Sequence, residues 1–343
     1  MSIVIRPVDL QTDRTTLLAV FERMLPSAAD PRRFDWLYRE NPHGPARAWL
    51  AADSRTGEWV GAAAIFPRRL RRQDAATEGY VLGDFCLDRA YRALGPAIQL
   101  QRACLAEIAS HVDSLAYDFP SESMLAVYRR MGFEANARLV RFAKPLRLDQ
   151  RIAQRVSVRL LAKTIAAAAR VGLRARDFNF RRAKGCVVDA LDSDFGPEFS
   201  ALMQRAGRKD RVCVERSADY LNWRYRRHPA VRHEVLTARR SGSLHAYLVF
   251  AQAGDHARVV DAFGADDPEI LRSLLAVAAN RLRDRGAQTL SFPLLSQDPW
   301  SEWLLRWGFR PRESSGVVTL PANPGSEMRT QSAWFLVDGD RES

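Results

Sequence analysis

The chain has 343 residues, 47% of them apolar, 27% charged and 9% aromatic, a composition that excludes whole-length disorder and suits two domains of roughly 100–200 residues each. Its apolar stretches are broken by arginine within about a dozen residues, short of the roughly 20 that a membrane span needs. With 52 Lys and Arg against 40 Asp and Glu the formal net charge is +12, which favours acidic partners unless arginine is simply the default surface residue.

In chain order, Met1–Arg6 shows no signal-peptide pattern, so a cytoplasmic location is expected. Ile3–Val8 alternates as a strand. Leu10–Leu25 and Arg32–Arg39 have helical spacing. Ala48–Asp53, Trp59–Arg68 and Gly79–Leu87 read as strands separated by turn signals such as Ser54-Arg-Thr-Gly57. Pro96–Ile108 is helical, with Ala97, Leu100, Ala103, Cys104 and Ile108 on one side. Ser114–Tyr117 is a short strand. Ser121–Met131 is a helix closed by Gly132, and Arg138–Pro145 is a closing strand. The segment 147–184 differs. It holds eleven Lys or Arg and two Asp. Arg147, Arg151, Arg155, Arg159 and Lys163 recur every four residues, opposite an apolar face, so a basic linker helix is expected there. Such a helix suits packing between domains, or docking to an anionic membrane or nucleic acid. Beyond it the same plan returns, with a long helix at Pro268–Arg285.

The chain repeats itself. Phe34-Asp-Trp36-Leu-Tyr38 returns as Leu221-Asn-Trp223-Arg-Tyr225. Asp84-Phe85 returns as Asp261-Ala-Phe263, Phe119-Pro120 as Phe292-Pro293, and Gly132-Phe133 as Gly308-Phe309. The offsets are 187, 177, 173 and 176 residues. Ordered landmarks at near-constant offset indicate duplication of a whole domain and exclude a solenoid of 20–50-residue period. The expected division is 1–146, a linker 147–184, and 185–343. One sheet interleaving strands of both halves would contradict that expectation.

Cys86, Cys104, Cys186 and Cys213 show no CxxC spacing, and the six histidines show no HxxxH. No metal site is expected. The most informative stretch is Leu82-Gly-Asp84-Phe85-Cys86-Leu87-Asp-Arg-Ala-Tyr91-Arg92-Ala93-Leu94-Gly95-Pro96-Ala97. A strand ends, a loop follows, and a helix opens at Gly95-Pro96. A helix N-terminus offers unpaired N–H groups and a positive dipole end, and Arg92 adds a charge. Together they suit a pyrophosphate. The same stretch also reads as an ordinary strand–helix turn.

These residues resemble the GNAT acetyltransferases, whose acyl-CoA loop, Arg/Gln-x-x-Gly-x-Gly/Ala after the fourth strand, is matched by Arg92-Ala-Leu-Gly95-Pro-Ala97 behind Tyr91. A second signature is matched by Tyr128-Arg-Arg-Met-Gly132-Phe133. The chain departs from the pattern at Ser121, where the family often has Asn. The resemblance covers roughly residues 3–145, with 186–338 as a weaker copy. It implies a mixed α/β sheet fold in two tandem GNAT-like domains. It also implies acetyl-CoA or another acyl-CoA as co-substrate, without metal, and a primary amine as acceptor. By the same resemblance, Phe85, Cys86, Leu87, Arg92, Ala93, Leu94, Gly95, Pro96, Ala97 and Ser121 would contact the cofactor. Backbone N–H groups near Phe85–Leu87 would polarise the thioester, and Tyr128 would protonate the thiolate. For the base, Asp84 comes first, with Glu78 on the same strand face and Asp118 and Glu122 as fallbacks. Asp84 has an echo in Asp261, which equally suits a structural role. Trp36 and Tyr38 read as packing or substrate-side aromatics. In the second copy Asp266, Asp267 and Glu269 crowd the phosphate position and Leu304 replaces Tyr128, so cofactor binding is expected in the first half only. Alternatives are an aminoacyl-tRNA or acyl carrier protein as donor, met by basic surface such as Arg68-Arg-Leu-Arg-Arg72, or a non-catalytic binding module.

Overall fold

A computed structural model describes residues 2–72, 75–111, 113–147, 185–206, 210–321 and 333–342. Apart from Arg147, the expected linker helix lies outside them. The first half runs β1 (Ile3–Pro7), α1 (Arg14–Met24), α2 (Pro31–Phe34), β2 (Arg47–Asp53), β3 (Trp59–Arg72), β4 (Ala75–Leu87), α3 (Leu94–Ala109), β5 (Leu115–Asp118), α4 (Glu122–Arg130) and β6 (Ala137–Pro145). The second runs β7 (Cys186–Ala190), α5 (Pro197–Ala206), β8 (Arg211–Val214), α6 (Ala218–Leu221), β9 (Glu234–Arg240), β10 (Ser243–Ala253), β11 (His256–Gly264), α7 (Pro268–Asp284), β12 (Thr289–Leu295), α8 (Trp300–Arg306), β13 (Arg310–Pro321) and β14 (Ala333–Phe335). The mixed α/β class expected from the sequence is therefore present. Among the described residues no helix is long and apolar enough to cross a membrane.

The expected separation of the two sheets is corrected. One path of strands runs β1-β2-β3-β4-β5-β13-β6-β12-β11-β10-β9-β7. The closing strands have changed places. β6 pairs antiparallel with β12 from Thr289↔Pro145 to Leu295↔Leu139. The far end of β13 pairs with β5, Val318↔Asp118 to Pro321↔Leu115, while its near end lies along β6. Each half's sheet is thus closed by the other half's last strand. The physical reason is the duplication itself. Strand patterning specifies which face is buried, not which partner is paired, so two similar closing strands exchange at little cost.

A second exchange lies at the ends of β3 and β4, which extend beyond the expected limits. Leu70 and Arg71 pair with Val214 and Cys213 of β8. This places Arg68-Arg-Leu-Arg-Arg72 at a seam between the halves. Arg68 is buried, with its guanidinium over the rings of Tyr220 and Trp223. Arg69 and Arg71 both pair with Glu215. Arg68 is thus withdrawn from the basic surface expected for a carrier protein, while Arg69 stays exposed and Arg71 and Arg72 half-buried.

The expected helix Arg32–Arg39 is a short α-turn followed by a π-turn. Asp30 caps it by accepting from the Arg32 N–H at 2.8 Å. The Glu40 N–H then bonds the Asp35 carbonyl five residues back, at 3.1 Å. The second copy repeats this, Arg227 N–H to the Asn222 carbonyl at 2.9 Å. Such turns recur at functional sites, and here both serve one contact. Trp36 and Trp223 stack with ring centroids 4.7 Å apart. Each indole N–H donates to the other residue's carbonyl, both at 2.9 Å. Of the aromatics expected to pack or to meet substrate, Trp36 and its echo Trp223 form the pseudo-twofold joint, while Tyr38 stacks on Phe34. Around them one apolar core takes residues from both halves, from Leu17 and Phe34 to Leu294 and Val337.

Truncating this joint should unfold both halves together. Trp223→Ala is expected to cost about 3–5 kcal/mol. Urea denaturation followed by fluorescence and by far-UV circular dichroism should give one coincident transition in wild type and variant. Two separate transitions would show that the halves are independent.

Candidate active site

The first half's sheet opens where β4 and β5 part. They pair in parallel only over Gly79–Val81 and Leu115–Tyr117. Beyond that, Leu82–Leu87 and Asp118–Ser121 diverge around a cavity of about 790 Å³. A β-bulge widens the opening. Ala62 faces Cys86 but Ala64 faces Gly83, so Asp84 and Phe85 share the place opposite Ala63. Asp84 accommodates the extra residue at φ 46°, in the left-handed region.

Most expected cofactor residues line this cavity: Phe85, Cys86, Leu87, Arg92, Ala93, Leu94, Ala97 and Ser121. Gly95 and Pro96 lie in the same first turn of α3 without lining it. The N-cap of α3, Ala93, offers no side-chain bond to the helix N–H groups. A side chain placed on Gly95 would meet nothing within 4 Å. Arg92 is exposed beside this turn, its Nε donating to the Leu87 carbonyl at 3.1 Å. An open helix N-terminus, an adjacent arginine and a cleft between parted strands together have the chemistry of a phosphate-bearing ligand site.

The second half lacks this opening. β11 and β12 also pair only briefly, His256–Arg258 with Thr289–Ser291. The gap beyond is filled by the chain's own last described segment. Val337 bridges to Leu294. Gly339 packs so closely on the Tyr225 hydroxyl and the Val260 carbonyl that no side chain fits there. Asp340 takes both Nη2 bonds of Arg216 at 3.0 Å. The acidic residues expected to repel phosphate are engaged locally. Asp267 caps α7 through the Glu269 N–H at 2.9 Å and pairs with Arg240, Asp266 accepts from the Trp300 indole at 2.7 Å, and Glu269 pairs with Arg272.

The structure gives each expected base residue its own surroundings. Asp84 lines the cavity, but Arg33 grips both its oxygens at 2.8 and 2.9 Å and the Tyr38 hydroxyl donates to it at 2.8 Å. With both oxygens engaged, it serves as an anchor for Arg33 and Tyr38. Asp261 is held in the same way by Arg216 and the Tyr247 hydroxyl. Glu78 does not reach the cavity. It accepts from the Tyr80 hydroxyl at 2.8 Å and meets His111 at 3.2 Å. The bulge breaks the face relation with Asp84, and six residues of strand put the two about 20 Å apart. Glu122 is exposed in the first turn of α4 and does not line the cavity.

Tyr128 is fully buried and is not itself a cavity wall. Its hydroxyl donates to Asp118 at 2.7 Å and accepts from Gln101 at 2.8 Å. Those two partners do line the cavity. Burial, then the Asp118 charge, holds the phenol well above its usual range. Burial also pushes the Asp118 carboxyl up to about 7, helped by Glu342 and opposed by the Tyr128 hydrogen bond. Glu342 arrives from the last described segment, its stem against Gly83, and lines the same cavity. Burial and the nearby Asp84 charge raise its pKa too. Gln101 was legible as a polar residue on the apolar face of its helix. Glu342 has no local signal, since it is brought in from more than 200 residues away. Among the described residues no cluster of His, Cys, Asp and Glu suits a metal ion.

No protein-family model matches the sequence, and no curated protein matches it. Among solved structures, the chain is similar to a probable N-acyltransferase from Enterococcus faecalis, at TM-score 0.68 and 9% identity over 94% of this chain and 73% of that one. It is similar to a GCN5-related N-acetyltransferase from Anabaena variabilis, at TM-score 0.65 and 13% identity over 94% and 73%. A tandem GNAT protein from the clavulanic acid pathway covers 95% of this chain and 100% of its own, at TM-score 0.55 and 14% identity. The fold is therefore that of the GCN5-related N-acetyltransferases.

Because the space at Gly95 is open, a bulky residue there should obstruct a ligand and leave the fold alone. Gly95→Tyr is expected to keep the thermal midpoint within a few degrees and to abolish the CoA-induced rise in that midpoint. An undiminished CoA shift would place the cofactor elsewhere.

Proposed function

We propose that the protein is an acyl-CoA-dependent N-acyltransferase with one working cofactor cavity, in residues 1–146. On this reading 185–343 forms a degenerate copy that supports the site and lends it β13 and Glu342. The observation that carries the proposal is the contrast between the two splays: the first is open beside an uncapped helix N-terminus, and the second is plugged.

The acyl-CoA pyrophosphate would lie at the first turn of α3 near Arg92, with the thioester at the bulge. There a ladder interrupted at Asp84–Phe85 leaves backbone donors to polarise the carbonyl. A neutral amine attacks the carbonyl carbon, forming the C–N bond. Asp118 takes the proton from nitrogen, the C–S bond breaks, and Asp118 returns that proton to the departing sulfur. A group of pKa near the operating pH suits both transfers. Tyr128 acts through Asp118 as a positioning residue, and Glu342 tunes Asp118 by its charge. Asp84 instead holds Arg33 and the bulge in place. Acyl transfer from an aminoacyl-tRNA or a carrier protein gains no support from Arg68 and Arg71, which are engaged at the joint between halves.

The signs of the pH effects follow from these contacts. With a weakly basic acceptor that titrates below pH 6, kcat/KM should rise through about pH 7 as Asp118 ionises. Asp118→Asn should lose about 10²–10⁴ in kcat. Glu342→Gln removes a neighbouring negative charge, so the rise should move to lower pH. Tyr128→Phe removes a bond to the charged carboxylate, so the rise should move to higher pH. A pH profile unchanged in Glu342→Gln and Tyr128→Phe would remove Asp118 from the proton path.

A further inference from the structure

A second cavity, of about 850 Å³, opens on the other side of the segment that carries Glu342. Asp338 and Gly339 line it, whereas Glu342 lines the first. The two cavities share Ser27 and Arg33. Ser27 and Arg33 thus belong to the wall between the two cavities, at the edge of this segment.

The floor of this cavity is unlike the rest of the sheet. β11 turns Ala257 and Val259 into the core and leaves His256 and Arg258 exposed on the open face. Arg258 sits opposite Ser291 of β12, and Arg141 of β6 sits opposite Pro293 on that strand's other edge. Arg141 and Arg258 therefore flank one strand, offset by two residues along it and about 12 Å apart. Both guanidiniums are oriented but not consumed. Arg258 uses one nitrogen on Asp338 at 2.9 Å, and Arg141 is held by Glu313 at 2.7 Å, while both remain partly exposed. A guanidinium has five donors in a planar fork, matched to carboxylate and phosphate. Asp30 and Asp338 are the cavity's carboxylates, and Asp30 is paired with Arg32. On the partition side Arg224 donates to the carbonyls of Gly339 and Arg341, both at 2.9 Å. Its field helps burial to lower the pKa of His228 to about 3 and of His233 to about 4, so both line the cavity as neutral rings.

We propose that the second cavity binds the acceptor, and that the acceptor is an amine carrying a carboxylate or phosphate at its far end, clamped between Arg141 and Arg258. This rests on the N-acyltransferase reading. The anion anchors in the second cavity, the chain passes Ser27 and Arg33, and the amine meets the thioester beside Asp118.

The test is a matched set of acceptors supplied with acetyl-CoA: an ω-amino carboxylate, an aminoalkyl phosphate, a neutral amino alcohol and a diamine. Release of free thiol gives kcat/KM for each. The anionic amines should exceed the neutral one by about tenfold or more, and the better of the two anions names the group. Arg258→Gln and Arg141→Gln should each lower that anionic-to-neutral ratio by about tenfold, mainly through KM. Arg306→Gln, on the exposed face of α8, should leave the ratio unchanged. Preference for the neutral amine or the diamine, or a ratio unmoved in both variants, overturns the proposal. If no amine is acylated, calorimetry with the aminoalkyl phosphate and the ω-amino carboxylate separates the two readings. Binding of either that weakens in Arg258→Gln keeps the anion site while the transferase reading fails, and no binding of either defeats the site as well.

Discussion

The stacked pair Trp36–Trp223 is the constraint on which the rest of this molecule depends. Each indole has one donor, and burial demands that it be satisfied. Here each is satisfied by the main chain of the other. Two equivalent π-turns bring those carbonyls forward, so the contact requires both copies in one relative orientation. Arg224 lies over the Trp36 ring and Arg68 over that of Trp223, adding cations from either side. Once the copies are docked this way, their closing strands run side by side at the centre of the sheet, where exchange of β6 and β13 becomes available.

That exchange explains why one splay is open and the other is plugged. β14 pairs with β8 in parallel, Ala333↔Arg211 to Phe335↔Cys213. From there Val337–Asp340 enters the second splay, and Asp340 joins Asp261 on the buried Arg216. The Tyr117 hydroxyl of the first half donates to the Asp340 carbonyl at 2.8 Å. The same segment that closes one site delivers Glu342 to the other. A carboxylate cluster at Asp84, Asp118 and Glu342 is costly, and Arg33, bonded to Asp84, and Arg341 offset it only in part. The remaining strain is expressed as the raised Asp118 and Glu342 pKa values, which is the condition for moving a proton near neutral pH.

Much of this architecture was legible in the sequence, because it rests on local periodicity. The strands of both copies, the α3 opening at Gly95-Pro96 and the crowded acids at Asp266–Glu269 were all readable from spacing. What escaped reading was set by partners far away in the chain. Arg138–Pro145 announced itself as a closing strand but not as a neighbour of β12. Asp84 resembled a base until Arg33, 51 residues earlier, proved to hold it. Glu78 seemed to share its face until the bulge broke the alternation. Tyr128 kept its place in the helix, yet its hydroxyl points to Asp118 and Gln101 and leaves those two to face the cavity.

The account turns on one open splay and one plugged splay in a duplicated fold. Isothermal titration calorimetry of CoA against the intact chain measures this directly, since stoichiometry counts competent sites whatever the acceptor is. One CoA bound per chain is the predicted result. Two per chain would mean that the Val337–Asp340 segment yields to ligand, and none would mean that the cavity beside α3 is not a cofactor site, either of which contradicts the account.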